Sequence, residues 1–216
     1  MTQAWGPLGW ATLHSVAALY PDSPTELEKS LILKWLDSFR NCIVCSVCKD
    51  HFSTLLRDYI VLYPDWNASR KDLSLFVLRA HNTVNVRQLG RNSLSIEEAF
   101  ARLRMNIDPS TAAAKRKSYI VYIRADWGKS LNFDGFTAAK YIKELIMIET
   151  DYFSSRPLFS WDDVYALVTG ENIEAIGSKA KPRSIFNNNM VRPPTKSPSA
   201  AYPFTVGKPR FSFLSR

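Results

Sequence analysis

The sequence predicts an all-α protein. Three observations carry that prediction. Apolar side chains recur at three- and four-residue spacing through most of the first hundred residues and again after residue 110. Serines followed three residues later by Asp or Glu stand ahead of three of these stretches. Short turns carrying Pro, Gly or Asn separate them.

Each element follows in order. Trp5-Gly6-Pro7 opens a first helix, in which Trp10, Leu13, His14 and Ala17 share a face. Tyr20-Pro-Asp-Ser-Pro24 is a turn. Ser23-Pro24-Thr25-Glu26 is a capping-box pattern with proline at the first helical position. The helix behind it places Leu27, Leu31, Trp35 and Ser38 or Phe39 on one side and closes at Asn41. A third helix runs from about Cys45 to Tyr59, with Cys48, Phe52, Leu55, Leu56 and Tyr59 in register. Tyr63-Pro-Asp-Trp-Asn67 is a loop. Ser69 and Asp72 cap a fourth helix through Leu73, Phe76, Val77, Ala80 and Val84, which Gly90 ends. Ser95–Met105 forms a short fifth, through Ile96, Ala99, Phe100 and Leu103.

Asp108-Pro109-Ser110 marks the expected domain boundary. Beyond it Ala112–Ile123 reads as helix, although Ser118–Ile123 reads equally as strand by β-propensity. Phe136–Phe153 is a helix striped by Tyr141, Leu145, Ile148 and Tyr152. Trp161–Val168 is another, capped by Ser160. The predicted organisation is therefore a helical domain over 1–107, a second, small, mostly helical domain over 108–174, and a basic, Pro-rich tail over 175–216. Six of the twelve prolines fall between Pro182 and Pro209, a composition that cannot pack a core and is expected to be disordered.

At 216 residues and 46% hydrophobic, the chain is long and apolar enough for a proper core. No apolar run approaches the roughly 20 residues that span a bilayer. The amino-terminal Met-Thr-Gln-Ala-Trp shows no secretory signal, so a reducing compartment is expected and the sequon at Asn67 is expected to go unused. The net charge of +8 resides in the tail: eight Lys and Arg and no Asp or Glu occur from Ala175 on. The tail's Tyr202, Phe204, Phe211 and Phe213 are of the kind that stack on bases, but a solvated tail with incidental charge is the favoured interpretation.

The chemistry is concentrated in the first 81 residues, which hold all three cysteines and all three histidines. Cys45 and Cys48 form a Cys-x-x-Cys pair near a helix start, where peptide dipoles stabilise a thiolate; Lys49 adds to this. Redox cycling, metal binding and simple burial all suit such a pair. Cys42, Cys45, Cys48 and His51 recur every third residue, so a zinc-binding interaction module is the alternative to redox chemistry. Its weakness is the absence of a second ligand pair after His81. His14 lies one turn after Trp10, and His81, Asn82 and Asn85 share a helical face. Together these groups suit a flat heteroaromatic ligand with hydrogen-bonding edges.

Three ordered blocks carry a resemblance. Trp5-Gly6-x-x-x-Trp10-x-x-x-His14, Cys45-x-x-Cys48-x-x-His51-Phe52 and His81-Asn82-x-Val84-Asn85-x-x-x-Leu89-Gly90 resemble the FAD-linked sulfhydryl oxidases of the Erv/ALR type, in the form found in large cytoplasmic DNA viruses. The resemblance covers residues 4–105. It implies a four- or five-helix bundle holding FAD at its mouth. Cys45 would be the outer sulfur attacked by a substrate thiolate, and Cys48 the inner one against the flavin. Trp5, Gly6, Trp10, His14, Cys48, His51, Phe52, His81, Asn82, Val84, Asn85, Leu89 and Arg91 would surround FAD, with Arg91 in place of a family lysine near the phosphates; no metal is implied. Electrons would pass from protein dithiols through FAD to oxygen, giving hydrogen peroxide. The resemblance further implies virion proteins as substrates, a homodimer packed through the first helices, no membrane attachment, and residence in the host cytoplasm at the viral assembly site and in the virion. Two departures stand out. No cysteine follows the His-Asn motif to form a further structural disulfide, and no separate shuttle pair exists. Some giant-virus members carry an extra C-terminal helical domain, to which residues 110–172 would correspond.

Overall fold

The computed structural model describes residues 5–130 and 133–177, excluding the side chains of Gln88, Leu89 and Phe133. Among them are eight α-helices, one 3₁₀ turn and no strand. The helices are α1 (Trp5–Leu19), α2 (Glu26–Asn41), α3 (Ser46–Leu62), α4 (Arg70–Leu89), α5 (Ile96–Asn106), α6 (Pro109–Trp127), α7 (Phe133–Asp151) and α8 (Trp161–Val168), with the 3₁₀ turn at Phe153–Ser155. The ambiguous Ser118–Ile123 is helical, inside α6. Tyr119 and Ile123, four apart, both enter the core there, which a helix allows.

Local chemistry sets the helix ends. The box that starts α2 is Thr25 with Glu28, two residues later than the expected Ser23–Glu26 pair. Tertiary partners favour the later register. Glu28 accepts from the Thr25 backbone N–H at 2.9 Å and from Tyr152 Oη at 2.7 Å, and it also pairs with Arg156. The hydrogen bond from the Thr25 backbone, followed by those from Tyr152, Thr25 and Arg156, holds its carboxyl down at about 2 against the cost of burial. Ser69 caps α4 as expected, and Ser160 caps α8. Gly90 ends α4 with φ of 58°, the left-handed region that glycine enters without steric cost.

Two apolar clusters share α1 and α4. One gathers Leu13, Trp35, Phe39, Phe52, Tyr59 and Phe76 with Tyr119, Ile123, Ile142 and Leu145 of α6 and α7. The other packs α5 and α8, through Phe100, Leu103, Trp161 and Val164, against Ala11, Ala18, Leu75 and Leu78. The expected boundary at Asp108-Pro109-Ser110 coincides with the N-cap of α6, but the helices beyond it share these cores with the helices before it. Gly9 makes the approach of α6 to α1 close: a Cβ there would lie 3.4 Å from the Tyr119 ring and 3.6 Å from Phe39. Leu27, expected on the inner face of α2, is 78% exposed, because α2 buries the stripe of Ile32, Trp35, Leu36 and Phe39 instead.

Every residue from Ala11 to Tyr20 is buried. Helix α1 therefore has no free face there for the second copy expected to pack on the first helices, while Leu27 and Leu33 of α2 are exposed. Residues 175–177, expected in the tail, are seated on α4 and its following segment instead: Ile176 N–H donates to Thr83 Oγ1 and Ala175 N–H to Ser93 Oγ. The remainder of the expected disordered tail, from residue 178, lies outside the described residues. No helix among the described residues is long and apolar enough to cross a membrane.

Candidate active site

Cys45 is the N-cap of α3, and its sulfur accepts from the backbone N–H of Cys48 at 3.2 Å. The two cysteines are joined in a disulfide with Cα atoms 5.2 Å apart. The helix start thus puts both sulfurs where aligned peptide dipoles favour a thiolate. Cys42 is fully buried one turn earlier, at the C-cap of α2, and burial pushes its thiol up to about 12. It is a free thiol of the core. No group of three or more His, Cys, Asp or Glu side chains placed to hold a metal occurs among the described residues. Cys42, Cys45, Cys48 and His51 are therefore not assembled as the zinc alternative requires.

A cavity of about 1010 Å³ opens against Cys48. Of the thirteen residues expected around a cofactor, twelve line it: Trp5, Gly6, Trp10 and His14 from α1, Cys48, His51 and Phe52 from α3, His81, Asn82, Val84 and Asn85 from α4, and Arg91 just after it. The side chain of Leu89, the thirteenth, lies outside the described residues. Cys45 is absent from the lining, so of the two joined cysteines Cys48 borders the cavity and Cys45 does not.

Three rings from α1 and α4 stand together in the wall. Trp10 and His81 stack with centroids 4.1 Å apart and planes within 6°. His14 Nε2 and His81 Nδ1 lie 3.0 Å apart, so one imidazole donates and the other accepts. Burial, then the neighbouring His81, pushes His14 well below the usual histidine range. Burial, then the Arg102 guanidinium, lowers His81 to about 4. Both rings are neutral at neutral pH and offer directional hydrogen bonds without a net charge.

The two asparagines differ. Asn85 is 8% exposed, and its side-chain amide meets no partner among the described residues. Asn82 is fully engaged: its Nδ2 donates to the backbone carbonyls of Leu94 at 3.0 Å and Ile173 at 2.7 Å, and its Oδ1 accepts from Leu94 N–H at 3.0 Å. Both of its donors are thus spent on the backbone, so it shapes the wall by tying two segments to α4.

The structure adds lining residues that the sequence did not suggest. Phe39, Ile43 and Leu78 extend the apolar wall, and Arg102, Asn106, Ile107 and Lys115 come from α5, its end and α6. The apolar ones were legible only as core. The polar ones have no local signal, because the packing of α5 and α6 brings them there.

The volume lies at the upper end of the roughly 300–1,000 Å³ usual for small-molecule and cofactor sites. Its wall is aromatic and aliphatic, with imidazoles, an unpartnered amide and three cations, and contains no carboxylate. Those features fit a large, flat, anionic ligand placed beside a disulfide.

Comparison with known proteins agrees with this chemistry. Residues 8–103 match the model of the Erv1/Alr family. The chain is 35% identical over 114 residues to a protein of Invertebrate iridescent virus 3 assigned to the FAD-linked sulfhydryl oxidases, covering 51% of this chain and 72% of that one. It is 30% identical over 117 residues to one of Acanthamoeba polyphaga mimivirus assigned likewise, covering 54% and 78%. It is 32% identical over 84 residues to the FAD-linked sulfhydryl oxidase of African swine fever virus, covering 38% and 66%. The chain belongs to the Erv1/Alr family of sulfhydryl oxidases.

Proposed function

We propose that the protein oxidises protein dithiols to disulfides, using Cys45 and Cys48 as the redox pair and FAD in the adjoining cavity. The observation that carries this is the position of the disulfide, with Cys48 on the cavity wall and Cys45 off it. A substrate thiolate attacks the Cys45 sulfur, forming a mixed disulfide and releasing Cys48 as a thiolate. The N-terminus of α3 stabilises that thiolate and so favours the step. The substrate's second thiol then displaces Cys45, leaving the substrate disulfide and a reduced Cys45–Cys48 pair. FAD held there would supply the electron chemistry, as acceptor of the dithiol's electron pair on its way to oxygen, the product being hydrogen peroxide.

The chain's own residues hold and shield that exchange. The neutral His14, the Trp10–His81 stack and Asn85 line the cavity with aromatic faces and hydrogen-bonding edges. Trp5, Gly6, His51, Phe52 and Val84 complete it, and Arg91 meets the cofactor's negative charge. Asn82 acts as a positioning residue.

Virion proteins assembled in the host cytoplasm are the proposed substrates, in keeping with the viral relatives. Residues 1–107 carry the redox site and 108–174 form an added helical part. A homodimer has to use a face other than the buried stretch of α1. Cys48→Ser tests the central assignment: the variant retains flavin and loses oxygen consumption with a dithiol. Undiminished oxygen consumption would refute it.

A further inference from the structure

The cavity carries a charge pattern that thiol exchange does not need. Arg91, Arg102 and Lys115 line it, and no aspartate or glutamate does. Three cations on an otherwise aromatic and aliphatic wall select for an anionic part of whatever is bound. Lys115 differs from the other two in lying beyond the family match, which ends at residue 103.

Lys115 stands near the start of α6, and its Nζ donates to the backbone carbonyl of Asn106. Asn106 is the last residue of α5 and, with Ile107, lines the same cavity. A helix C-terminus is the negative end of the peptide dipole and repels an anion. An ammonium held on that terminal carbonyl offsets the repulsion, and with three donors it keeps two for a ligand. Asp108, the nearby N-cap of α6, feels the Lys115 charge but makes no ion pair with it: its carboxylate accepts from the Ser110 backbone N–H at 2.9 Å and hydroxyl at 2.7 Å. Arg102 makes no ion pair among the described residues.

We infer that Lys115 of α6, together with Arg102 of α5, holds the diphosphate of FAD, so that the helix following the family's common segment is part of the cofactor site. This rests on the assignment of the cavity to FAD.

The test uses the full chain stripped of flavin and titrated with FAD by fluorescence, beside Lys115→Gln and Lys115→Arg. Losing a charge-assisted contact weakens FAD roughly 10- to 100-fold in Lys115→Gln. Arginine recovers most of the affinity, added salt narrows the gap between wild type and Lys115→Gln, and the melting temperature of the flavin-free protein is unchanged. An affinity within about threefold of wild type would overturn the inference. So would an affinity loss matched by a fall in the flavin-free melting temperature, which would assign Lys115 to closing α5 alone. A wild-type chain that takes up no FAD would overturn the underlying assignment, whereas normal uptake by both wild type and Lys115→Gln would overturn this inference alone.

Discussion

His14 and His81, from α1 and α4, share a single hydrogen bond of 3.0 Å across the cavity wall. Each ring sits below its ordinary titration range because burial disfavours the charged form. The unfolded chain therefore binds protons that the folded one refuses. Stability from this source is complete above about pH 6.5 and falls as pH drops toward about 4, the folded value for His81. His81 alone accounts for about 3 kcal/mol across that window. Urea unfolding followed from pH 7.5 to 4 checks this. His81→Phe, which keeps a ring against Trp10, is expected to flatten the acid limb, and an unchanged limb would contradict the assignment.

Asn82→Ala removes three hydrogen bonds to backbone groups and leaves the Leu94 N–H and two carbonyls short of partners. A loss of roughly 2–4 kcal/mol in unfolding free energy is expected. Amide exchange at Leu94 should accelerate with it. A variant within half a kcal/mol of wild type would show that the two segments are held by other contacts.

Arg116 and Glu149 join α6 to α7 by two hydrogen bonds of 2.9 Å, with side chains 3% and 4% exposed. Arg116→Met alone strands a buried carboxylate and should cost about 3–5 kcal/mol. The double variant Arg116→Met with Glu149→Leu should regain most of that, because two apolar side chains need no compensation there. A double-mutant cycle by thermal or chemical unfolding measures the coupling, and additive costs would contradict the pairing.

Cys42→Ala is expected to keep full oxidase turnover, since its thiol is buried and held up at about 12 by that burial. Loss of turnover in a folded Cys42→Ala variant would place this cysteine in the electron relay.

The sequence made the redox centre legible because its residues are local. Cys45 and Cys48 stand out by spacing, which alone leaves redox, metal and burial open until the three ordered blocks supply the resemblance, and the His81–Asn85 face shows in helical register. The caps at Ser69 and Ser160 were equally visible. What stayed hidden depends on contacts distant in the chain. The start of α2 moved to Thr25 because Glu28 finds Tyr152 and Arg156 more than a hundred residues away. Asn82 looked like a group offered to a ligand, yet it serves Leu94 and Ile173. Lys115 reaches the cavity only because α6 packs on α1 through Gly9 and Tyr119. The expected split at residue 108 relied on an Asp-Pro-Ser turn, which is equally a helix N-cap followed by proline at the first position.

The most direct test of the central claim is anaerobic reduction of the flavin-loaded protein by a dithiol, followed through the flavin's visible absorption. The wild type is expected to bleach within the time of turnover, and Cys48→Ser, flavin still bound, to stay yellow. Bleaching of Cys48→Ser at the wild-type rate would mean that electrons reach the flavin without the inner cysteine, and would contradict the account.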